Sequence, residues 1–336
     1  MSVLIICEKP SVAKTVALAL GAAEQKDGYF SGDGLLVSWC IGHLISMADA
    51  GSYDERYKKW RYEDLPILPQ TWKYAPTPGK EKQLAVLKEL LHRSDVSEVV
   101  NGCDAGREGE LIFRFVYEQT GCTKPFSRLW ISSMEDSAIR EGFAGRRAGT
   151  EYDALYQSAL CRARADWLVG INATRLFSVL YHKTLNVGRV LSPTLNLLVE
   201  RDGKITMFHK EKYHIVHIGC GGVDAESERI SDASAADALK TACEASQAVC
   251  VSLKKEKKTA LPPKLFDLTL LQREANRVYG FTAKQTLDYA QSLYEKRFLT
   301  YPRTDSNYLT EDMAQTATDL VAALLPVLPF MQGAEL

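Results

Sequence analysis

The hydrophobic positions in the first part of the chain alternate between short apolar runs and helical patterns. Apolar runs at Val3–Cys7 and Val96–Asn101 predict two buried strands. Each run is followed by a polar turn and then by a helical pattern, at Val12–Leu20 and Glu108–Gln119. Repeated strand–turn–helix units predict an α/β domain with a parallel sheet over about the first 150 residues.

The rest of the chain is predicted to be mainly helical, with a small β-rich stretch. Helical patterns occur in residues 152–177, 268–278 and 283–294. β-Branched alternation predicts strands at Lys212–Cys220 and Ala248–Leu253. The charge run Lys254–Lys258, followed by two prolines, is interpreted as a solvated linker at a domain boundary.

Composition restricts the class of protein without identifying its function. A chain of 336 residues with 46% hydrophobic and 25% charged residues is typical of a globular protein with two or more domains. No apolar run reaches the roughly 18 residues of a membrane span, and no signal peptide is visible, so a cytoplasmic location is expected. The eight cysteines form no C-x-x-C pair, which fits a reducing compartment. A net charge of -1 does not indicate nucleic-acid binding, so a DNA enzyme of this composition must cluster its basic residues.

Acidic residues follow both predicted strands of the first domain. Glu8 comes directly after the first strand and Asp104 after the second, while Glu108 and Glu110 lie in the first turn of the next helix. Loops at the carboxyl ends of parallel strands commonly carry ligands, and carboxylate oxygens suit Mg²⁺. The alternative is structural, because acids at a helix N-terminus are stabilised by the helix dipole.

A tyrosine motif, Y-P-R-T-D-S, begins at Tyr301 near the end of the chain. A tyrosine oxygen can attack a DNA phosphorus and conserve the bond as a phosphotyrosine ester, which needs no ATP. Arg303, two residues later, can stabilise the phosphate charge. No ATP-binding G-x-x-x-x-G-K-[ST] loop is present. A bare Y-x-R pattern remains weak because most of the 15 tyrosines must be packing residues.

Taken together, E-K-P-S-V-A-K, C-D-A-G-R-E-G-E and Y-P-R-T-D-S resemble the motifs of type IA DNA topoisomerases of the bacterial topoisomerase III kind. The resemblance implies that Tyr301 is the nucleophile and Arg303 its electrostatic partner. It further implies that Glu8 transfers a proton and Lys9 contacts a DNA phosphate. Mg²⁺ would be held by the acids of the first domain: Asp104, Glu108 and Glu8. Gly106 stands where a second aspartate is expected, which leaves open whether one or two ions bind.

Further segments resemble the DNA-gripping elements of the same family. The implied DNA-binding residues are Arg162, Asp166, Gly188, Arg189, Ser192 and Thr194. From spacing alone, Arg162 and Asp166 would be an ordinary i, i+4 salt bridge. Leu191 replaces the glutamine usual in this element, so one polar contact to DNA is expected to be missing. Leu129–Ser133 resembles the strand after the acidic motif, and Gln272 matches a recurring position to which no chemical role is assigned.

The fold expected from the resemblance is multidomain α/β plus α. A Toprim domain with a Rossmann-like parallel sheet (residues 1–150, with an insertion at about 40–75) precedes mainly helical and small β domains. These are a helical DNA-gripping domain (151–210), a β-rich hinge segment (211–260) and a tyrosine-bearing domain (261–336). Few residues follow Tyr301, so we expect a truncated chain in which the toroid of the family is incomplete.

The function implied is ATP-independent, Mg²⁺-dependent cleavage, passage and religation of single DNA strands through a 5′-phosphotyrosine intermediate. The expected partner is single-stranded or negatively supercoiled DNA, with an unidentified helicase as a further partner, no membrane, and a nucleoid-associated location. Two alternatives stay open at this point. A Toprim nuclease or primase-like enzyme would not need Tyr301, and a truncated DNA-binding remnant would bind DNA in a salt-dependent manner without forming an adduct.

Overall fold

The computed structural model describes residues 1–304, 306–309 and 314–328. Asp305 of the tyrosine motif and the last part of the predicted 261–336 domain lie outside the described residues. The chain divides into two compact units. The first consists of residues 1–189 and the described residues from 264 onward, and the second consists of residues 190–263. None of the described helices has the length and apolar character needed to cross a bilayer.

The first unit is built on a seven-stranded sheet with the order β2-β3-β4-β1-β7-β8-β9. The strands of this unit are β1 (Ser2–Cys7), β2 (Glu24–Lys26), β3 (Tyr29–Gly32), β4 (Leu35–Trp39), β5 (Ile45–Met47), β6 (Tyr74–Pro76), β7 (Val96–Gly102), β8 (Phe126–Arg128) and β9 (Arg147–Ala148). The four central strands β4, β1, β7 and β8 run parallel, whereas the outer pairings are antiparallel. Strands β5 and β6 form a separate antiparallel pair. The predicted α/β fold with a parallel sheet is therefore confirmed.

Helices pack on both faces of this sheet. Those preceding the second unit are α1 (Pro10–Ala19), α2 (Glu81–His92), α3 (Arg107–Gln119), α4 (Asp136–Ala144) and α5 (Asp153–Leu180). The second unit contains α6 (Leu191–Thr206) and α7 (Ala233–Glu244). The chain then returns to the first unit with α8 (Leu268–Tyr279), α9 (Ala283–Glu295) and α10 (Ala314–Leu324).

Strand β1 shows why the sequence begins with an unbroken apolar run. Successive side chains of a strand point to opposite faces of the sheet. Leu4 and Ile6 join the core beneath α2, α3 and α5, while Ile5 and Cys7 join the core that includes α1 and α4. Because both faces are covered, every residue of the run can be apolar. The sheet is thus held rigidly from both sides, with its strand ends fixed in place.

The ends of β1 and β7 lie side by side. Cys7, the last residue of β1, pairs in parallel register with Gly102, the last residue of β7. Glu8 and Asp104 therefore leave the sheet at the same edge, as the strand pattern predicts.

The tyrosine segment packs against this same layer. The ring of Tyr294, at the end of α9, is 2% exposed and belongs to the core beneath α1 and α4. The backbone N–H of Tyr301 donates to the carbonyl oxygen of Ser132 at 3.0 Å. A residue far along the chain is thereby fixed next to the loop that follows β8.

The second unit is small and largely exposed. It holds a two-stranded antiparallel hairpin, β10 (His217–Cys220) and β11 (Val223–Glu226), together with α6 and α7. Asp232 caps α7 by accepting a hydrogen bond from the backbone N–H of Ser234 at 3.1 Å. This division separates α6 from α5, which the sequence-based division placed together in residues 151–210.

Three strand predictions need correction. Ala248–Leu253 forms no strand, because no neighbouring segment pairs with it and alternation alone supplies no ladder partner. In the predicted Lys212–Cys220 strand, His217–Cys220 forms β10, and His214 makes an isolated antiparallel bridge with Ile230. A strand is predicted at Leu129–Ser133, but the observed strand β8 covers Phe126–Arg128 and ends just before that segment.

Candidate active site

Two buried carboxylates face each other where β1 and β7 end. Glu8 and Asp104 are each 8% exposed. Burial raises the pKa of Glu8 above its ordinary value, and the nearby charge of Asp104 raises it further, while Lys9 and Arg303 act in the opposite sense. Two like charges in a buried place disfavour each other, so Glu8 retains its proton to a higher pH than an exposed glutamate.

Tyr301 reaches this pair directly. Its hydroxyl donates to Asp104 Oδ2 at 3.2 Å, and Lys9 Nζ lies 3.5 Å from the same oxygen. The Tyr301 ring packs edge-on against Tyr294, with 5.5 Å between the ring centroids. Burial raises the pKa of the Tyr301 hydroxyl above its ordinary value, and Asp104 and Glu8 add to this, whereas Arg303 opposes it. The structure therefore brings together the four residues Glu8, Lys9, Asp104 and Tyr301, with Arg303 close enough to influence both Glu8 and Tyr301 electrostatically.

Asp104 has one oxygen to spare for a cation. Its Oδ2 serves Tyr301 and Lys9, but its Oδ1 is buried and accepts no hydrogen bond from any described residue. A buried oxygen without a partner is costly unless an ion or water satisfies it. Oxygen ligands of this type suit Mg²⁺, which commonly takes one or two carboxylates and keeps its waters. The residues present therefore fit a hard cation at Asp104.

Glu108 lies apart from that pair in this arrangement. Its carboxylate is 3.1 Å from the guanidinium of Arg162 and 3.8 Å from Nε2 of His43. Within the part of the chain that the structure describes, no three His, Cys, Asp or Glu side chains are gathered into a ready-made metal site. The assignment of Glu108 as a metal ligand consequently remains a prediction that requires its side chain to leave Arg162.

The predicted DNA-binding residues of the first unit form a row of alternating charges. Arg162 lies 3.9 Å from Asp166, and Asp166 lies 2.6 Å from Arg189. Gly188 directly precedes Arg189 in the same unit. Two arginines thus sit side by side next to Glu108, each held by an acid and each able to exchange that acid for a phosphate. We refer to Arg162, Asp166 and Arg189 as the arginine row.

Ser192 and Thr194 belong to the second unit, in the first turn of α6. The Thr194 hydroxyl donates to the carbonyl oxygen of Val190 at 2.7 Å, a bond within the helix. Their role in DNA binding stays a prediction.

Arg128 is a buried residue of the site that the sequence did not reveal. It is 1% exposed and forms an ion pair of 2.7 Å with Glu110, which is also 1% exposed. Its guanidinium donates to the carbonyl oxygens of Cys103 at 2.6 Å and Asp104 at 2.7 Å. Glu110 therefore anchors an arginine that holds the backbone of the Asp104 loop. The available signal was Glu110 itself, an acid on the inward face of an amphipathic helix.

Gly109 has a steric role in the same loop. A Cβ atom at this position would lie 2.1 Å from the carbonyl oxygen of Asp104, far inside van der Waals contact. Only glycine lets α3 approach the strand end this closely. The second glycine of the motif D-A-G-R-E-G-E is thereby explained by packing.

The fold that carries these acids is of the Toprim type, and comparison with known proteins places the chain in a family. Residues 3–134 match the Toprim domain, and residues 150–327 match the family described as DNA topoisomerase. The chain is 41% identical to DNA topoisomerase 3 of Shouchella clausii over 335 residues, covering 97% of this chain and 46% of that protein. It is 40% identical to DNA topoisomerase 3 of Bacillus subtilis over 337 residues, covering 98% of this chain and 46% of that protein.

A solved structure agrees with these matches. Full-length topoisomerase I from Thermotoga maritima is similar with a TM-score of 0.68 and 26% identity, over 96% of this chain and 52% of that chain. The chain belongs to the type IA DNA topoisomerases and is of the topoisomerase III kind. It spans about half the length of the curated relatives that it matches. Both matched families suggest a metal-dependent enzyme.

Proposed function

We propose that this chain carries the strand-cleaving centre of an ATP-independent DNA topoisomerase. One strand would be cut by Tyr301, held as a 5′-phosphotyrosine ester and then resealed. The observation that carries the proposal is the 3.2 Å hydrogen bond between the Tyr301 hydroxyl and the Asp104 carboxylate. A tyrosine that only packs does not need a buried carboxylate beside its hydroxyl, whereas a nucleophile must lie beside the groups that handle its proton and its phosphate.

In the cleavage step, the oxygen of Tyr301 forms a bond to phosphorus as the bond from phosphorus to the 3′ oxygen breaks. Asp104 Oδ2 is the nearest acceptor for the tyrosine proton. Glu8, whose raised pKa keeps it protonated to higher pH, donates a proton to the departing 3′ oxygen. Religation reverses both transfers. Proton and bond counts therefore balance without a further reactant, which agrees with the lack of an ATP-binding loop.

Charge on the phosphate requires cationic groups around it. Lys9 contacts Asp104, and the charge of Arg303 acts on Glu8 and Tyr301. Both cations are available to a phosphate that enters between Tyr301 and Asp104. Asp104 Oδ1, together with Glu8 or a re-oriented Glu108, would hold Mg²⁺. When bound, this ion would neutralise charge that develops on the phosphate oxygens.

Single-stranded or negatively supercoiled DNA is the substrate that these residues favour. The arginine row presents two cations to a backbone, and an unpaired strand can bring a single phosphate to the half-buried Tyr301. Relaxation or decatenation, cooperation with a helicase and an association with the nucleoid are proposed for the whole protein, on the basis of the family alone.

The polarity of the covalent bond provides a test. Single-stranded oligonucleotides labelled at either end are incubated with the protein and Mg²⁺, without ATP, and quenched with denaturant. A 5′-phosphotyrosine predicts labelled protein only with the 3′-end label, and a shortened free fragment with the 5′-end label. Shortened DNA with no labelled protein would contradict the proposal and favour a Toprim nuclease.

A further inference from the structure

We propose that residues 57–62 form a second contact surface for a single nucleic-acid strand, next to the arginine row. The inference rests on the proposed function, since it extends the path of the same strand. This segment lies in the insertion that precedes β6, and we call it the basic-aromatic segment. It reads Tyr57, Lys58, Lys59, Trp60, Arg61 and Tyr62.

The segment presents rings and charges to solvent rather than to the core. Trp60 is 44% exposed and Tyr62 is 58% exposed. Lys58 is paired with Glu55 at 2.6 Å, but Lys59 and Arg61 form no ion pair with any residue that the structure describes. Unpaired cations alternating with exposed rings are what a single strand recognises, because phosphates bind the cations and bases stack on the rings.

Helix α5 holds this surface in place. The side chain of Arg175 is buried, donates to the carbonyl oxygen of Tyr57 at 2.7 Å, and lies 5.4 Å from the centre of the Trp60 ring. Asn172 accepts from the N–H of Ile67 at 2.6 Å and donates to its carbonyl oxygen at 3.0 Å. The backbone is therefore ordered before any ligand arrives, which lowers the entropy lost on binding.

The basic-aromatic segment is continuous with the arginine row through a shared cavity of about 560 Å³. Lys58 and Trp60 line one side, and Asp166 and Trp167 of α5 line the other. Asp166 is the acid that lies between Arg162 and Arg189. A strand that leaves the arginine row can therefore enter this cavity and meet Trp60, whose neighbours in the chain are the exposed Lys59 and Arg61. The acids Asp49 and Asp166 also line the cavity, so phosphates are expected at its rim.

Binding of fluorescent oligonucleotides of two lengths tests the proposal. One of about 6 nucleotides covers the candidate cleavage site, and one of about 20 also reaches the basic-aromatic segment. The variants are Lys59→Ala/Arg61→Ala, Trp60→Ala and Trp60→Phe. Lys82→Ala/Lys88→Ala on α2 is the control matched in charge, because it removes two positive charges elsewhere, one of them paired with Asp27. Glu63→Gln, which removes an exposed acid beside the segment, is the control of opposite sign.

For the long oligonucleotide, we expect the double variant to lower the slope of log affinity against log salt by about 1.4, which corresponds to two phosphate contacts. Trp60→Ala should weaken binding about fivefold or more, with Trp60→Phe retaining most of the affinity. Glu63→Gln should bind at least as tightly as the unmodified protein. The short oligonucleotide should bind all variants equally.

Unchanged affinity and salt slope for the long oligonucleotide in the double variant and in Trp60→Ala would overturn the inference. Equal losses in the Lys82→Ala/Lys88→Ala control would do the same, because the effect would then reflect net charge alone. Failure of the unmodified protein to bind the short oligonucleotide would instead contradict the proposed function, so the two failures can be told apart.

Discussion

The hydroxyl of Tyr301 donates a hydrogen bond to Asp104 although the two residues lie 197 positions apart in the chain. The pKa of the hydroxyl is raised by burial and by both acids. The hydroxyl of Tyr301 thus lies beside Asp104 and keeps its proton. A cation entering the site would weaken the hold of Asp104 and favour the tyrosinate form, whereas the negative charge of a phosphate alone would oppose it. Cleavage is therefore expected to depend on substrate and metal arriving together.

Gly106→Asp should tighten metal binding. Gly106 has extended backbone with φ 175°, and a Cβ atom there would meet nothing within 4 Å, so the site accepts a side chain. The added carboxylate lies at the start of α3, where an aspartate also suits the helix cap. We expect affinity for Mn²⁺, followed by electron paramagnetic resonance, to rise on the order of tenfold. Gly203→Asp adds the same charge at another glycine with open space around it, and it should leave the affinity for Mn²⁺ unchanged. An equal rise in affinity in both variants would refute this account.

Glu8→Gln should stabilise the fold at neutral pH. A carboxyl group whose pKa is raised by folding favours the folded state while protonated and opposes it once ionised. The gain in Tm over the unmodified protein should therefore grow as pH rises above the ordinary value of 4.5 and vanish under acidic conditions.

Glu98→Gln should change Tm in the opposite direction to Glu8→Gln. The pKa of Glu98 is lowered, chiefly by its hydrogen bond with Arg146. Its charge stabilises the fold above the ordinary pKa, and this contribution is lost as pH falls through the lowered pKa. Glu98→Gln should thus reduce Tm at neutral pH and converge with the unmodified protein in acid. The same sign of change in both variants would be evidence against the electrostatic assignment.

Arg128→Met should destabilise the first unit by about 3–5 kcal/mol, since it leaves Glu110 buried without its nearest cation. Urea unfolding measures this loss. Arg146→Met, which breaks the partly exposed pair with Glu98, should cost only about 1 kcal/mol or less. Similar costs for the two variants would show that Arg128 does not hold the Asp104 loop.

Arg189→Ala should lower the salt slope of single-strand binding by about 0.7, the value for one phosphate contact. Asp166→Asn should raise affinity at low salt, because it removes the acid that competes with phosphate for Arg189 and Arg162. Arg93→Ala, which breaks the exposed ion pair with Asp95 on the turn before β7, should change neither quantity. Weaker binding by Asp166→Asn would indicate that the acid orients the arginines rather than competing for them.

The position of the acids was accessible from sequence, whereas their partners were not. Two apolar runs that end in acids predict parallel strands with Glu8 and Asp104 at one edge, and the register of Cys7 with Gly102 agrees. The contact of Tyr301 with Asp104 follows from the packing of Tyr294 in the sheet's core, which no local pattern encodes. The resemblance to the family's motifs predicted a role for Tyr301 that the periodicity of the sequence could not indicate.

Pairing and burial account for the remaining differences. The Ala248–Leu253 segment has strand-like alternation, but a strand requires a partner that lies elsewhere in the chain. Arg128 and Glu110 were missed as a pair because charged residues are ordinarily exposed, and only the three-dimensional structure shows that they are buried against each other.

The most direct test of the central claim is covalent trapping with Tyr301→Phe. The 3′-end-labelled single strand is incubated with Mg²⁺ and either protein, and the reaction is quenched with denaturant. Tyr301→Phe keeps the ring that packs against Tyr294, so the fold should persist and noncovalent DNA binding should be unchanged. The account predicts a labelled protein band that disappears in Tyr301→Phe. A band of equal intensity in the variant would contradict the assignment of Tyr301 as the nucleophile.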